Sequence, residues 1–220
     1  MIAEDTHADG KLSPVFLSIV LPAYNEENRI PVTLDKIFSF LHSRRFTWEL
    51  IIVDDGSIDS TVEVINKSIN KVPNARLLEN KINRGKGFSV KRGMLAANGD
   101  YCLFSDADLS TPIEFVEIFL EYHQQGYDVC IGSRSLPDSN IEIHQPWYRE
   151  KMGKIFGVLQ RIFLLDKIID SQCGFKSFNR RAAEFIFPRQ VTEGFCFDVE
   201  ILYIAQKHDF KIREIPVTWR

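Results

Sequence analysis

The chain has no basic surplus. Its 27 Lys and Arg stand against 30 Asp and Glu, a net charge of −3. A nucleic-acid-binding domain would carry a clear excess of positive charge, so that class is set aside. No run of about 18 apolar residues occurs, which leaves no segment suited to span a membrane as a helix. The opening MIAEDTHADGKLSP, residues 1–14, is polar and acidic and lacks the apolar stretch of a secretory signal. It is expected to be a disordered tail. The four cysteines, Cys102, Cys130, Cys173 and Cys196, share neither a CxxC nor a zinc-site spacing. Cys102 and Cys130 sit in apolar runs and read as buried thiols, which suits a reducing compartment. Repeats, low-complexity tracts and dividing linkers are also missing, so one domain is expected.

What is present is an alternation. VFLSIVLPAY, WELIIVDDGS, ARLLEN, DYCLFSDAD and YDVCIGSR read as strands rich in apolar and β-branched residues. Between them fall helices: one with Ile30, Leu34, Ile37 and Leu41 on one face, then STVEVINKSINKV, then GFSVKRGMLAAN, then one running from Pro112 to Tyr122. Strand–helix alternation of this kind predicts an α/β fold with a mostly parallel sheet covered on both faces. In the second half, Met152, Ile155, Phe156, Leu159, Ile162 and Phe163 form one apolar helical stripe. Helices around RRAAEFIF and FDVEILYIAQKH and a last strand KIREIPVTW complete the chain.

In such sheets ligands bind beyond the carboxyl ends of the strands. Three strands end there in polar residues: Tyr24, Asn25 and Glu26; Asp54 and Asp55; Asp106 and Asp108. Each group alone is readable as a helix cap or turn. Three on one edge point to a crevice that binds something. If the strand continues through 108, Asp106 and Asp108 project to the same face. Two such carboxylates call for a hard divalent cation, Mg²⁺ or Mn²⁺, completed by phosphate or water. NRGKGFSVKRG is neither a P-loop nor a dinucleotide fingerprint. Lys86 between Gly85 and Gly87 at a helix start is open to two readings, a solvated loop charge or a diphosphate ligand.

SIVLPAYNEE, IIVDDGSIDST, NRGKG, FSDADLSTP and GSR, in this order, resemble the inverting family 2 glycosyltransferases of the GT-A fold. The resemblance runs from about Phe16 to Trp219. DSQCGFKSFNRRAA, EGFCFDVEILYIA and IREIPVTW are similar to the dolichyl-phosphate glucosyltransferases and their bacterial polyprenyl-phosphate relatives within it. The resemblance implies one GT-A domain over 15–220, with 15–134 holding the nucleotide sugar and 135–220 the acceptor. It implies donor contacts from Pro22, Ala23, Tyr24, Glu26, Asp54, Asp55, Lys86, Asp106, Ala107 and Asp108, with Asp54 on base and ribose and Asp55 supporting its loop. Asp106 and Asp108 would take the metal. Arg134 and Arg149 would face the acceptor phosphate, and Asp170 and Arg134 would be the catalytic residues, Asp170 as an orienting group or weak base. Asp198 and Glu200 would lie near sugar or acceptor, or serve the core.

The implied reaction moves glucose from UDP-glucose to a polyprenyl phosphate. GDP-mannose as donor and a glycan acceptor are the alternatives within the class, and a non-catalytic nucleotide-sugar-binding protein is the alternative outside it. A lipid acceptor gives the amphipathic stretch 147–169 a use at a membrane interface, against the plainer reading of a core helix. The implied location is peripheral, on the cytoplasmic face of a membrane. Relatives carry membrane helices that this stretch of sequence lacks.

Overall fold

The first strand, β1 (Leu17–Ala23), is buried along its whole length. Its side chains alternate between faces. Leu17, Ile19, Leu21 and Ala23 pack on one side of the sheet, and Val20 belongs to the core on the other. The computed structural model describes residues 14–141, 165 and 168–220. Most of the expected tail 1–14, the residues of 147–169 apart from 165, 168 and 169, and Arg149 lie outside the described residues.

Helix α1 (Ile30–His42) follows, then β2 (Trp48–Asp54), α2 (Thr61–Ile69), β3 (Ala75–Glu79), α3 (Lys86–Ala96), β4 (Tyr101–Phe104), α4 (Phe115–Gln124) and β5 (Val129–Ser133). After these come β6 (Asn140–Ile141), β7 (Lys176–Asn179), α5 (Arg180–Arg189), α6 (Phe197–Lys207), β8 (Ile212–Pro216) and β9 (Thr218–Trp219). Seven strands form one sheet in the order β3-β2-β1-β4-β7-β5-β8, and β6 and β9 form a separate pair. All ladders of the large sheet are parallel except those of β7, which runs antiparallel to both β4 and β5. The sheet is mostly parallel, as expected. The reversed central strand is what the first-half alternation did not reveal.

The helices cover both faces. α1, α2 and α4 supply Ile30, Leu34, Ile37, Leu41, Ile65 and Phe119 to one core. α3, α5 and α6 supply Val90, Met94, Ile186, Phe187, Phe197 and Leu202 to the other. Each fully buried side chain of this size contributes about 1.5–3 kcal/mol of transfer free energy. With both faces filled, the open ground lies at the strand ends. Among the described residues, no helix is long and apolar enough to cross a membrane.

The boundaries that differ from expectation include the ends of α2 and β8, since the last strand breaks after Pro216, and two that lie by the strand edge. β4 stops at Phe104 instead of running to Asp108. Ser105 N–H still donates to Val20 carbonyl at 3.1 Å, and then Leu109 N–H donates back to Asp106 carbonyl at 3.1 Å, closing a turn. Asp106 and Asp108 therefore sit in a turn, not on one strand face. α4 begins at Phe115, because Phe115 and Val116 bond back to Pro112 and Ile113, one tight turn before regular helix starts.

Candidate active site

The carboxyl ends of β1, β2 and β4 open into a cavity of about 540 Å³, lined in part by Tyr24, Glu26, Asp55, Lys86, Asp106 and Asp108. Pro22, Ala23 and Ala107 also line it. Sequence reasoning assigned all nine to donor binding. It did not single out Asn83, Ser89 and Phe195, which with Gly85 complete the wall. Phe195 is 76% exposed at the rim, yet no local pattern brings the loop before α6 to this edge.

The loop after β1 is tied to the loop after β2. Asn25 has a positive φ of 54°, a conformation that Asn tolerates better than most residues. Its N–H donates to Ser57 Oγ at 2.9 Å, and its Oδ1 accepts from Ile58 N–H at 3.0 Å. Glu26 N–H donates to Thr61 Oγ1 at 2.7 Å. Of the two aspartates ending β2, Asp54 is consumed by its own turn. Its Oδ2 accepts from Gly56 and Ser57 N–H at 3.0 Å each, and its Oδ1 from Ser57 Oγ at 2.5 Å. It is 2% exposed and off the cavity wall, which does not fit the expected contact with base and ribose. Asp55 faces the cavity and braces the next loop, accepting from Asn80 Nδ2 at 2.8 Å, Arg84 N–H at 3.1 Å and Gly85 N–H at 2.7 Å.

That brace sets Lys86 as the first residue of α3, after Gly85 with φ 102°. Lys86 Nζ pairs with Asp106 Oδ1 at 2.5 Å. Burial works against the ammonium charge, but the Asp106 and Asp198 carboxylates hold its pKa above the usual lysine value. Gly174 makes room for Asp106: a Cβ there would stand 2.0 Å from Asp106 Oδ2. Asp108 Oδ1 accepts from Ser110 N–H at 2.9 Å. Burial raises the pKa of Glu26. The nearby Asp108 and Asp59 carboxylates add to this and Arg29 opposes it.

The wall thus gathers negative charge that one lysine only partly offsets. Two all-oxygen carboxylates fit a hard cation. Among the described residues, no group of three metal-ligating side chains exists, so the rest of the shell would fall to diphosphate and water.

Next along the same edge, Arg134 follows β5. Its N–H and Nε donate to Asp170 Oδ2 at 2.9 and 2.8 Å, and its Nη2 donates to Asp170 Oδ1 at 2.9 Å. Burial pushes the Asp170 pKa up, but Arg134 outweighs it and the carboxyl stays below the usual range. Such a group is a poor base and a firm anchor. Arg134 in turn stays charged, helped mainly by Asp170 and also by Asp106. Its guanidinium lies 5.8 Å from the Trp219 ring centroid.

Asp198 and Glu200 take structural roles. Asp198 is 3% exposed and pairs with Lys176, itself 0% exposed. Lys176 Nζ also donates to Cys173 carbonyl at 2.5 Å. Glu200 accepts from Val191 and Thr192 N–H at 2.8 Å each, fixing the loop that carries Phe195. Lys176 was missed because a lysine inside a strand ordinarily reads as a solvent-facing position.

The family model described as glycosyl transferase family 2 matches residues 18–187. A dolichyl-phosphate beta-glucosyltransferase of Dictyostelium discoideum is 41% identical over 217 residues, covering 93% of this chain and 66% of that protein. One of Saccharomyces cerevisiae is 38% identical over 223 residues, covering 93% of this chain and 67% of that protein. The chain therefore spans just under two thirds of the Dictyostelium protein. Among solved structures, glucosyl-3-phosphoglycerate synthase from Mycobacterium tuberculosis in complex with Mn²⁺, UDP and phosphoglyceric acid superposes with a TM-score of 0.70 at 19% identity, covering 94% of this chain and 70% of that one. This likeness carries the GT-A fold.

Proposed function

Because the chain belongs to glycosyl transferase family 2, we propose that it moves glucose from UDP-glucose to a polyprenyl phosphate of the dolichyl type, with inversion at the anomeric carbon. The observation that carries this is the pairing of two sites on one sheet edge. A cavity holds Asp106, Asp108 and Lys86, and beside it Arg134 is held by Asp170, which leaves its second guanidinium edge unbonded among the described residues.

The donor diphosphate lies against the start of α3, where the helix dipole and the Lys86 ammonium favour negative charge. A Mg²⁺ or Mn²⁺ held by Asp106 and Asp108 would neutralise the charge growing on the leaving diphosphate. Lys86 exchanges its bond to Asp106 for one to a phosphate oxygen when the donor arrives.

The acceptor is already an anion. One of its phosphate oxygens attacks the anomeric carbon, a new C–O bond forms, and the bond to UDP breaks with its electron pair leaving on UDP. No proton has to be removed first, so the site needs orientation more than it needs a base. Arg134 suits that task. Asp170 occupies its Nε–Nη2 edge, and the Nη1–Nη2 edge has two parallel N–H donors, the match for a phosphate. A lipid acceptor also sets the work at a membrane surface, for which the apolar stripe read in 147–169 is the segment offered.

The test is transfer of labelled glucose from UDP-glucose to polyprenyl phosphate in detergent, with Mn²⁺ or Mg²⁺, beside Asp108→Ala. Metal-dependent transfer that falls by roughly 10²-fold or more in the variant is the expected result. Transfer from GDP-mannose but not from UDP-glucose would overturn the donor assignment, and transfer to a glycan alone would overturn the lipid.

A further inference from the structure

Asp170 belongs to no helix or strand. Its backbone has no ladder to hold it, yet its carboxylate makes three bonds to Arg134. The hold comes from β8. Glu214 Oε1 accepts from Asp170 N–H and Glu214 Oε2 from Ile169 N–H, both at 2.8 Å. Both oxygens of one carboxylate thus take two consecutive backbone amides.

β8 pairs in parallel with β5, with Glu214 opposite Ile131 and Pro216 opposite Ser133. Arg134 is the next residue after β5. One pair of adjacent strands therefore fixes both members of the ion pair. β5 delivers the arginine, and β8 reaches through Glu214 to set the aspartate.

We infer that Glu214 is a positioning residue for the acceptor phosphate: through the backbone of residues 169–170 it holds Asp170, and through Asp170 it aims the Nη1–Nη2 edge of Arg134. This rests on the proposed role of Arg134 as the acceptor clamp. A guanidinium offers a bidentate grip only in its own plane. Tilting it loses one of the two bonds to phosphate, and a shift of about 1 Å in a positioning group can cost about 10²-fold. Among the described residues Glu214 bonds to residues 169 and 170 and not to the donor wall, so its effect is confined to the acceptor.

Glu214→Gln tests this with little change of volume. An amide has one acceptor oxygen and would turn its own N–H₂ toward the second backbone N–H, so one bond is lost and two donors face each other. The readouts are the Kd of the full chain for farnesyl phosphate and, separately, for UDP with Mn²⁺, by calorimetry. We expect farnesyl phosphate to bind about tenfold or more weakly in Glu214→Gln, with the UDP Kd within about twofold of wild type. Glu214→Asp, which keeps both oxygens, should recover part of the loss. Added to Arg134→Ala, Glu214→Gln should cost nothing further, because the group it aims is gone.

A purely structural role would lower the fraction of competent protein and leave both Kd values alone. If Arg134→Ala weakens farnesyl phosphate and Glu214→Gln does not, the inference fails while the acceptor reading stands. If wild type does not bind farnesyl phosphate, or Arg134→Ala leaves its Kd unchanged, both fail.

Discussion

Asp198→Ala should be the most damaging change of a single charge in the core. Lys176 is 0% exposed and Asp198 3%, and among the described residues the ammonium donates to the Asp198 carboxylate and the Cys173 carbonyl alone. Lys176 lies across from Phe104 on β4 and from Ile131 on β5, so its strand is paired on both sides. It cannot swing to water without opening the sheet. Of the other charges close to Asp198, Lys86 has the same sign as Lys176, and Asp106 is already paired with Lys86.

Removing one partner of a buried pair costs about 3–5 kcal/mol, against a total domain stability of about 5–15 kcal/mol. For a chain of this size, each kcal/mol lowers Tm by about 2–4 °C, so a fall of roughly 6–20 °C is expected. Lys176→Met should cost less. Burial already raises the Asp198 pKa, and the orphaned carboxyl can take a proton and become neutral. Lys176→Met with Asp198→Leu should recover most of the loss, since an apolar pair of similar volume replaces buried ions at little cost. Urea unfolding followed by circular dichroism gives the three midpoints and slopes. An Asp198→Ala unfolding free energy, from midpoint and slope, that matches wild type to within about 1 kcal/mol would refute the reasoning, because that is the scale of a surface pair.

Other outcomes follow from single contacts. Gly174→Ala places a Cβ 2.0 Å from Asp106 Oδ2, so the carboxylate must move. Mn²⁺-dependent UDP binding should fall about tenfold or more with Tm nearly unchanged, as read by calorimetry and a thermal scan. His123 is 6% exposed, and burial holds its pKa below the usual value against the opposing pull of the Tyr127 carbonyl and Asp128. The unfolded chain therefore binds more protons, and stability should be full above pH about 6.5 and fall as pH drops below it. Urea midpoints across that range check this, and His123→Gln should flatten the slope. Cys102, Cys130 and Cys173 are buried, with thiols pushed up to about 11, about 12 and about 11, while Cys196 is exposed. A thiol reagent should find one fast cysteine in the native protein, and Cys196→Ser should remove it.

Much of this was legible in the residues. β1, β2 and β4 announce themselves by apolar runs, and the polar groups that end them mark the edge where the cavity lies. Lys86, left open between a loop charge and a ligand, proved to face the cavity. Other features were not legible. Asp54 and Asp55 are adjacent and alike, and only the turn that uses Asp54 as its cap tells them apart. The expectation of Asp106 and Asp108 on one strand face failed because β4 loses its ladder after Phe104. The Asp106–Lys86 pair joins the turn after β4 to the first residue of α3, and no spacing rule links them.

By itself the sequence determines what local physics can set: the alternation of strands and helices, a mostly parallel sheet, the edge that carries chemistry, and the family. Those follow from periodicity, turn chemistry and short motifs, all of which act over a few residues. The tertiary structure alone decides that β7 enters the sheet backwards between β4 and β5, that its lysine is buried against Asp198, and that Glu214 steadies Asp170 from 44 residues away. Such choices depend on which distant groups can satisfy one another once water is excluded. A buried charge or an unpaired amide accepts whatever partner the packing brings, and sequence distance has no part in that energy.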